Sequence, residues 1–151
     1  MLVTELIGPP EQSAGVAFNA LYGAFYGLEN ATGTDAFPRS RWDTNLMTDN
    51  VPPEQWAGTY AVPVAASITR LPPEYAQAET PVRLETWDYG LVAEILHIGP
   101  YNNMQPTIDR LSAYADSQGY TLVGPHEEEY LRGPGKILTG NPHTYQTNLR
   151  Y

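Results

Sequence analysis

Apolar and polar positions along the chain alternate between strand-like runs and two longer helix-like runs. "MLVTELIGPP" is rich in Leu, Val and Ile and stops at Gly8-Pro9-Pro10, the pattern of a strand ended by a breaker. From Glu11 to about Leu28, Phe18, Leu21, Phe25 and Leu28 recur at helical spacing, with Tyr22 and Tyr26 on an adjoining stripe. Gly15, Gly23 and Gly27 weaken that helix but permit close packing. Residues Glu29 to Ser40 are polar and predict a loop. β-Branched and aromatic residues predict strands over Trp42 to Met47 and Thr59 to Thr69, separated by the turn-prone "TDNVPPEQ". Pro63 inside the second implies an edge or a bulge.

The second half repeats the theme. "LPPEYAQAE" predicts one short helical turn, and "VRLETWDYGLVAEILHIGPY" predicts two strands joined as a hairpin at "DYG". Met104, Ile108, Leu111 and Ala115 then follow helical spacing. Pro106 falls in the first turn, where a missing N–H costs little, and Gly119 is placed to cap the end. "YTLVGPHEEEYL" and "TYQTNLRY" predict closing strands. "LVTELIGPP" and "LVAEILHIGPY", beginning at Leu2 and Leu91, are both strand, Gly-Pro, then helix. A separation this long excludes a solenoid and predicts two strand-helix-strand-strand modules side by side. The expected class is α+β: one domain over 1–151, a mixed, mostly antiparallel sheet with two main helices on one face, and a ligand cleft between the modules.

Composition narrows the function. The chain has 151 residues, 42% of them hydrophobic, enough for a packed core without staples. It has no cysteine, which removes disulfides and thiolate zinc sites, and no early apolar run follows positive charge; the expectation is a cytoplasmic protein. Eight basic against seventeen acidic residues give a net charge of −9, which repels phosphate backbones and anionic membranes. No apolar segment reaches the about 20 residues of a membrane span. Neither nucleic acid nor a membrane is an expected partner, and a monomer is favoured. An acidic surface suits a cationic ligand, and it equally serves solubility.

Three adjacent glutamates in "GPHEEEYL" carry the sharpest chemical question. Along a strand, Glu127 and Glu129 point one way while His126, Glu128 and Tyr130 point the other. The simplest assignment leaves the pair on a solvated face and aims Glu128 toward the helices. An enclosed carboxylate without a partner costs on the order of several kcal/mol, and so demands a cation or a proton. The alternative is that the whole triplet sits at a solvated strand end, and a slip of one residue turns Glu127 or Glu129 inward instead.

"GLVAEILHIGPYNNMQPTIDRLSAYADSQGYTLVGPHEEEYLRGP" resembles the second half of the GyrI-like small-molecule-binding domains. There, a strand ending "HIGPY" leads into a helix bearing "PTI" and then to a strand carrying Glu-x-Tyr-Leu. "FNALYGAFYGL" resembles the first helix of the family's stand-alone members. The resemblance implies pseudo-twofold symmetry, an aromatic cleft between helices and sheet, and an acidic residue at its floor, by position Glu128. It further implies a hydrophobic ligand that is cationic or a polarised aromatic, countered by the carboxylate and stacked by rings. Some similar proteins hydrolyse cyclopropane-bearing DNA-alkylating natural products with that glutamate activating water.

Eleven Tyr, three Trp and three Phe supply such walls. A cation over an aromatic face gains roughly 0.5 to 2 kcal/mol. Tyr22 and Tyr26 lie one helical turn apart, Trp42, Trp56 and Tyr60 occupy the middle segment, and Tyr130 and His126 flank Glu128; for any one ring, core packing is the competing role. His97, His126 and His143 match no metal-ligand spacing, so neither metal nor cofactor is expected. Nucleotide loops and serine-nucleophile elbows are absent from the sequence. Three functions remain: binding for sequestration or sensing; hydrolysis with Glu128 as general base; and a protein or peptide interaction module. No DNA-binding appendage falls within the 151 residues, so a one-chain transcription regulator is not expected.

Overall fold

A computed structural model of the chain describes residues 1–29, 37–42, 50–134 and 140–151, which form two compact units, Met1–Asp88 and Tyr89–Tyr151. In the first unit, β1 (Leu2–Ile7) leads through Gly8 into α1 (Pro10–Gly27). β2 (Arg39–Trp42), β3 (Ala57–Val62), the short α2 (Pro73–Ala76) and β4 (Arg83–Leu84) follow. The sheet order is β4-β1-β3-β2, antiparallel throughout. Every second residue of the central strands faces α1. Leu2, Tyr60 and Val62 are fully buried there with Ala17, Leu21 and Ala24, and Phe25, Trp42 and Val82 complete the core. The opposite face holds a smaller cluster of Val3, Ala61 and Trp87, with the Arg41 guanidinium 3.7 Å from the Trp87 ring centre.

The second unit comprises β5 (Glu94–Ile98), α3 (Gln105–Ser117), β6 (His126–Arg132) and β7 (Gln146–Arg150). Its order is β6-β7-β5, again antiparallel. Leu149 is fully buried, and Met104, Leu111, Ala115 and Tyr145 are nearly so. A register shift between Tyr130 and Arg132 lets the strand bend after its Glu-x-Tyr stretch.

The two units share one plan. In each, the first strand pairs with the third, and the third with the second. Gly8 and Gly99 occupy equivalent places at φ +137° and +143°, backbone that a side chain disfavours, and each precedes an extended proline that starts the helical segment. Counting four residues back from each glycine gives Thr4, paired with Tyr60, and Ile95, paired with Leu149. Tyr60 in turn faces Ser40, and Leu149 faces Glu128. Ser40 is therefore the first unit's counterpart of Glu128, and Arg39, Arg41 and Trp42 are the counterparts of Glu127, Glu129 and Tyr130.

Several expectations are corrected. The predicted loop over Glu29 to Ser40 gives way to β2 from Arg39, because Ser40 and Trp42 have a buried face to fill. Residues 43–47 of the predicted second strand lie outside the described residues. The strand predicted from Thr59 to Thr69 runs instead from Ala57 to Val62 and stops before Pro63, which has no N–H to continue the ladder. No hairpin forms at Asp88-Tyr89-Gly90: β4 is taken up by β1, and β5 by β7. β6 begins at His126 rather than at Tyr120, since Gly124 at φ +84° turns the chain just before it.

Candidate functional site

β6 presents its glutamates to two different environments. Side chains opposite one another on paired strands share a face. Tyr130 lies across from Thr147, which lies across from His97, and His97 Nδ1 is 2.9 Å from Thr107 Oγ1 in α3. Tyr130, and with it Glu128 and His126, therefore faces the helix side of the sheet.

Glu128 is held at both oxygens. His126 Nε2 is 3.1 Å from Oε1, and the Tyr130 hydroxyl donates to Oε2 at 2.7 Å. A carboxylate only accepts, so Nε2 is the protonated ring nitrogen of this pair. That leaves His126 Nδ1, buried and with no hydrogen-bond partner among the described residues. Thr147 Oγ1, on the same face, is likewise buried without one.

Further rings pack against the two side chains that hold this carboxylate. Tyr101 packs edge-on to Tyr130 at 5.6 Å and tilted against Tyr145 at 5.2 Å, and the His126 ring lies 5.0 Å from Tyr151. Partial burial, the neighbouring Tyr145 phenol and the charge of Glu128 push the Tyr101 phenol up to about 12. Partial burial and then Glu128 do the same for Tyr151, also to about 12. Two phenols from separate segments thus feel one carboxylate. The Glu128 side chain is 16% exposed, enclosed yet within reach of solvent. Chemically, the arrangement is a carboxylate that accepts from a histidine and a phenol, with further rings packed on those two partners.

The expectation that Glu127 and Glu129 are solvated is wrong. They are only 2% and 7% exposed. Arg150, directly across from Glu127 in the register, reaches Glu127, Glu94 and Glu129 together. The Tyr89 hydroxyl lies 2.9 and 3.0 Å from the two Glu127 oxygens, and Asn148 Nδ2 donates to Glu129 at 3.1 Å. Parity separated the triplet correctly, two against one. It could not see that an arginine in the next strand would make the two-glutamate face a buried ionic one.

The remaining aromatic candidates belong to the first unit. Tyr60 is fully buried, its hydroxyl 2.6 Å from Ser13 Oγ, with Phe18 edge-on at 5.4 Å and Trp42 at 5.6 Å. Trp42 rests on Gly58, where an added Cβ would meet the indole at 2.6 Å, and donates its Nε1–H to Ser40 at 3.0 Å. Trp56 donates to the Val51 carbonyl at 2.7 Å and meets Trp42 at 6.2 Å. Tyr22 and Tyr26 stack at 6.0 Å, with Tyr26 mostly exposed. Burial, then the neighbouring Tyr26, raises the Tyr22 phenol above its ordinary range.

Comparison with known proteins places the chain. Residues 4–150 match the family described as GyrI-like small molecule binding domain. The chain belongs to this family. No protein of curated function matches it. Among solved structures, the GyrI-like chain is similar to an uncharacterized conserved protein from Listeria innocua, with TM-score 0.79 and 19% identity over 99% of this chain and 84% of that one. It is also similar to a hydrolase from Listeria innocua, with TM-score 0.73, 19% identity and the same shares of each chain. The third is EcmrR in its DNA complex, with TM-score 0.61 and 13% identity over 99% of this chain but 52% of that one. At these identities the likeness establishes the fold.

Within the GyrI-like chain, sequence reasoning missed Tyr101 and Tyr151, which feel the charge of Glu128, and Tyr145, which packs against Tyr101. Tyr101 was within reach, as the last residue of the quoted "HIGPY". Tyr145 and Tyr151 bracket β7: Tyr151 feels the charge of Glu128, and Tyr145 packs against Tyr101. Among the described residues no three His, Asp or Glu side chains are grouped to hold a metal ion, and no helix is long and apolar enough to cross a membrane.

Proposed function

We propose that the protein binds a hydrophobic aromatic cation at Glu128, with Tyr101, Tyr130, Tyr145, Tyr151 and His126 as the surrounding rings. The observation that carries this is the combination at one place: a carboxylate anchored by His126 and Tyr130 and felt by two further phenols. Family membership supplies the small molecule. The charge of the ligand follows from physics. An enclosed carboxylate is stabilised by a counter-cation, and rings within about 6 Å of that cation add roughly 0.5 to 2 kcal/mol. Sequestration or sensing of a drug-like or toxic cation is the corresponding role. The test is a fluorescence titration with ethidium, a permanent aromatic cation. Binding by the wild type that weakens about tenfold or more in Glu128→Gln supports the proposal, on the basis that a charge-assisted contact contributes roughly 1.5 to 3 kcal/mol. Equal affinities for the two proteins would refute it.

A second reading, hydrolysis, is favoured by the His126–Glu128 hydrogen bond and by the similarity to structures described as hydrolases. Glu128 would take a proton from water while the water oxygen adds to a strained ring carbon of a cyclopropane-bearing alkylating compound. The electron pair of the broken ring bond moves to the compound's conjugated carbonyl, which accepts the proton back. Incubation with such a compound separates the two readings. A ring-opened hydrate formed by the wild type and not by Glu128→Gln establishes turnover; unchanged compound leaves binding alone.

A further inference from the structure

Binding and pH are joined at His126. This rests on the proposed cation site and concerns what decides whether Glu128 is available to a cation. His126 contacts Glu128 through Nε2, and its Nδ1 is buried with no partner among the described residues. Among the described residues, the titratable groups around the ring and its carboxylate are these. Glu128 and Tyr130 come from its own strand and Tyr151 from the end of the chain after β7, while Tyr101 approaches the same carboxylate from the segment before α3. The other cation nearby, Arg150, spends its contacts on Glu94, Glu127 and Glu129 on the opposite face of the sheet. His97, on the same face, is engaged elsewhere, with Thr107 and the Pro100 carbonyl.

We infer that His126 sets the charge requirement of the site: neutral, it leaves Glu128 free to pair with a ligand cation; protonated, it becomes the counter-cation itself. His126 lies within hydrogen-bond distance of Glu128, and histidine is the side chain type whose charge ordinarily changes near neutrality. With Nε2–H already committed to Glu128, the added proton enters at Nδ1. The imidazolium then neutralises the carboxylate that the ligand needs, and ligand cation and proton compete for one carboxylate. Competition of this kind weakens cation binding as pH falls, by up to tenfold per pH unit while the imidazole is mostly protonated. An uncharged ligand of the same shape has no such competitor. His126 is on this account a specificity-determining residue rather than a catalytic one.

The experiment compares ethidium with its uncharged counterpart phenanthridine, titrated into the wild type and His126→Gln between pH 6 and 8. The expected result is that ethidium affinity rises several-fold with pH in the wild type and is level in His126→Gln, while phenanthridine affinity is level in the wild type. The ethidium-to-phenanthridine comparison in the wild type needs no variant, so it stands even if His126→Gln fails to fold. Ethidium affinity level with pH in the wild type overturns the role of His126 and leaves the cation site standing. A pH dependence that survives in His126→Gln, or that phenanthridine shares, also overturns it. No ethidium binding at any pH overturns both.

Discussion

At the scale of single residues, the decisive feature is that one strand sorts three identical side chains into two chemistries. Glu128 shares its face with rings and a histidine, and Glu127 and Glu129 share theirs with Arg150. The phenols report on this directly. Tyr101, held up to about 12 by burial, Tyr145 and Glu128, and Tyr151, held up to about 12 by burial and Glu128, keep their protons where ordinary phenols near 10 have lost them. Between those values the folded chain binds more protons than the unfolded one. The stabilisation from these phenols is therefore intact below pH 10 and is lost as pH rises toward 12. Ultraviolet titration of tyrosinate is expected to show a late-ionising class, and Glu128→Gln to move part of that class earlier. Identical curves for the two proteins would separate the phenols from the carboxylate. Alternation along "HEEEYL" made Glu128 legible as the odd member. The burial of its two neighbours was not legible, because it depends on an arginine in another strand.

Among the elements, β6 and β7 are joined by an ion cluster as well as by their ladder. Arg150 is mostly buried and faces three carboxylates, of which Glu127 is almost wholly enclosed. Removing the guanidinium strands those charges, and loss of one partner from a buried pair costs about 3 to 5 kcal/mol. Arg150→Ala is thus expected to lower the urea midpoint sharply, and Arg150→Lys to recover only part of it, since an ammonium cannot span three acceptors as a guanidinium does. The strand-to-helix corners give a second prediction. Gly99 sits at φ +143°, and a Cβ there would also meet His97 Nε2 at 3.3 Å. Gly99→Ala should cost about 1 to 3 kcal/mol, read from the same denaturation curves. These corners were the most legible part of the fold, because Gly-Pro punctuation is local. The absent hairpin at Asp88-Tyr89-Gly90 shows the limit: turn residues mark where a chain bends, but strand partners are chosen by burial at a distance.

For the whole molecule, the two units use one strand order with different chemistry at matching places. Where the second unit has Glu127-Glu128-Glu129-Tyr130, the first has Arg39-Ser40-Arg41-Trp42, and in both the aromatic donates to the side chain two residues before it. In the first unit that side chain is a neutral, fully buried hydroxyl under an indole seated on Gly58. Calorimetry is accordingly expected to give one cation per chain, and a stoichiometry of two would show that the first unit binds independently. The repeat was readable from "LVTELIGPP" and "LVAEILHIGPY", but the exchange of Ser for Glu emerges only once the strands are in register. A net charge of −9 adds a diffuse attraction for cations, which salt screens.

The central claim is that the anion recognising the ligand is Glu128 in its setting of tyrosines. Mapping ethidium-induced NMR shifts on the labelled protein tests it most directly. The account predicts the largest changes at Tyr101, His126, Glu128, Tyr130, Tyr145 and Tyr151. Saturable binding that leaves all six unmoved, with the shifts elsewhere, would contradict it.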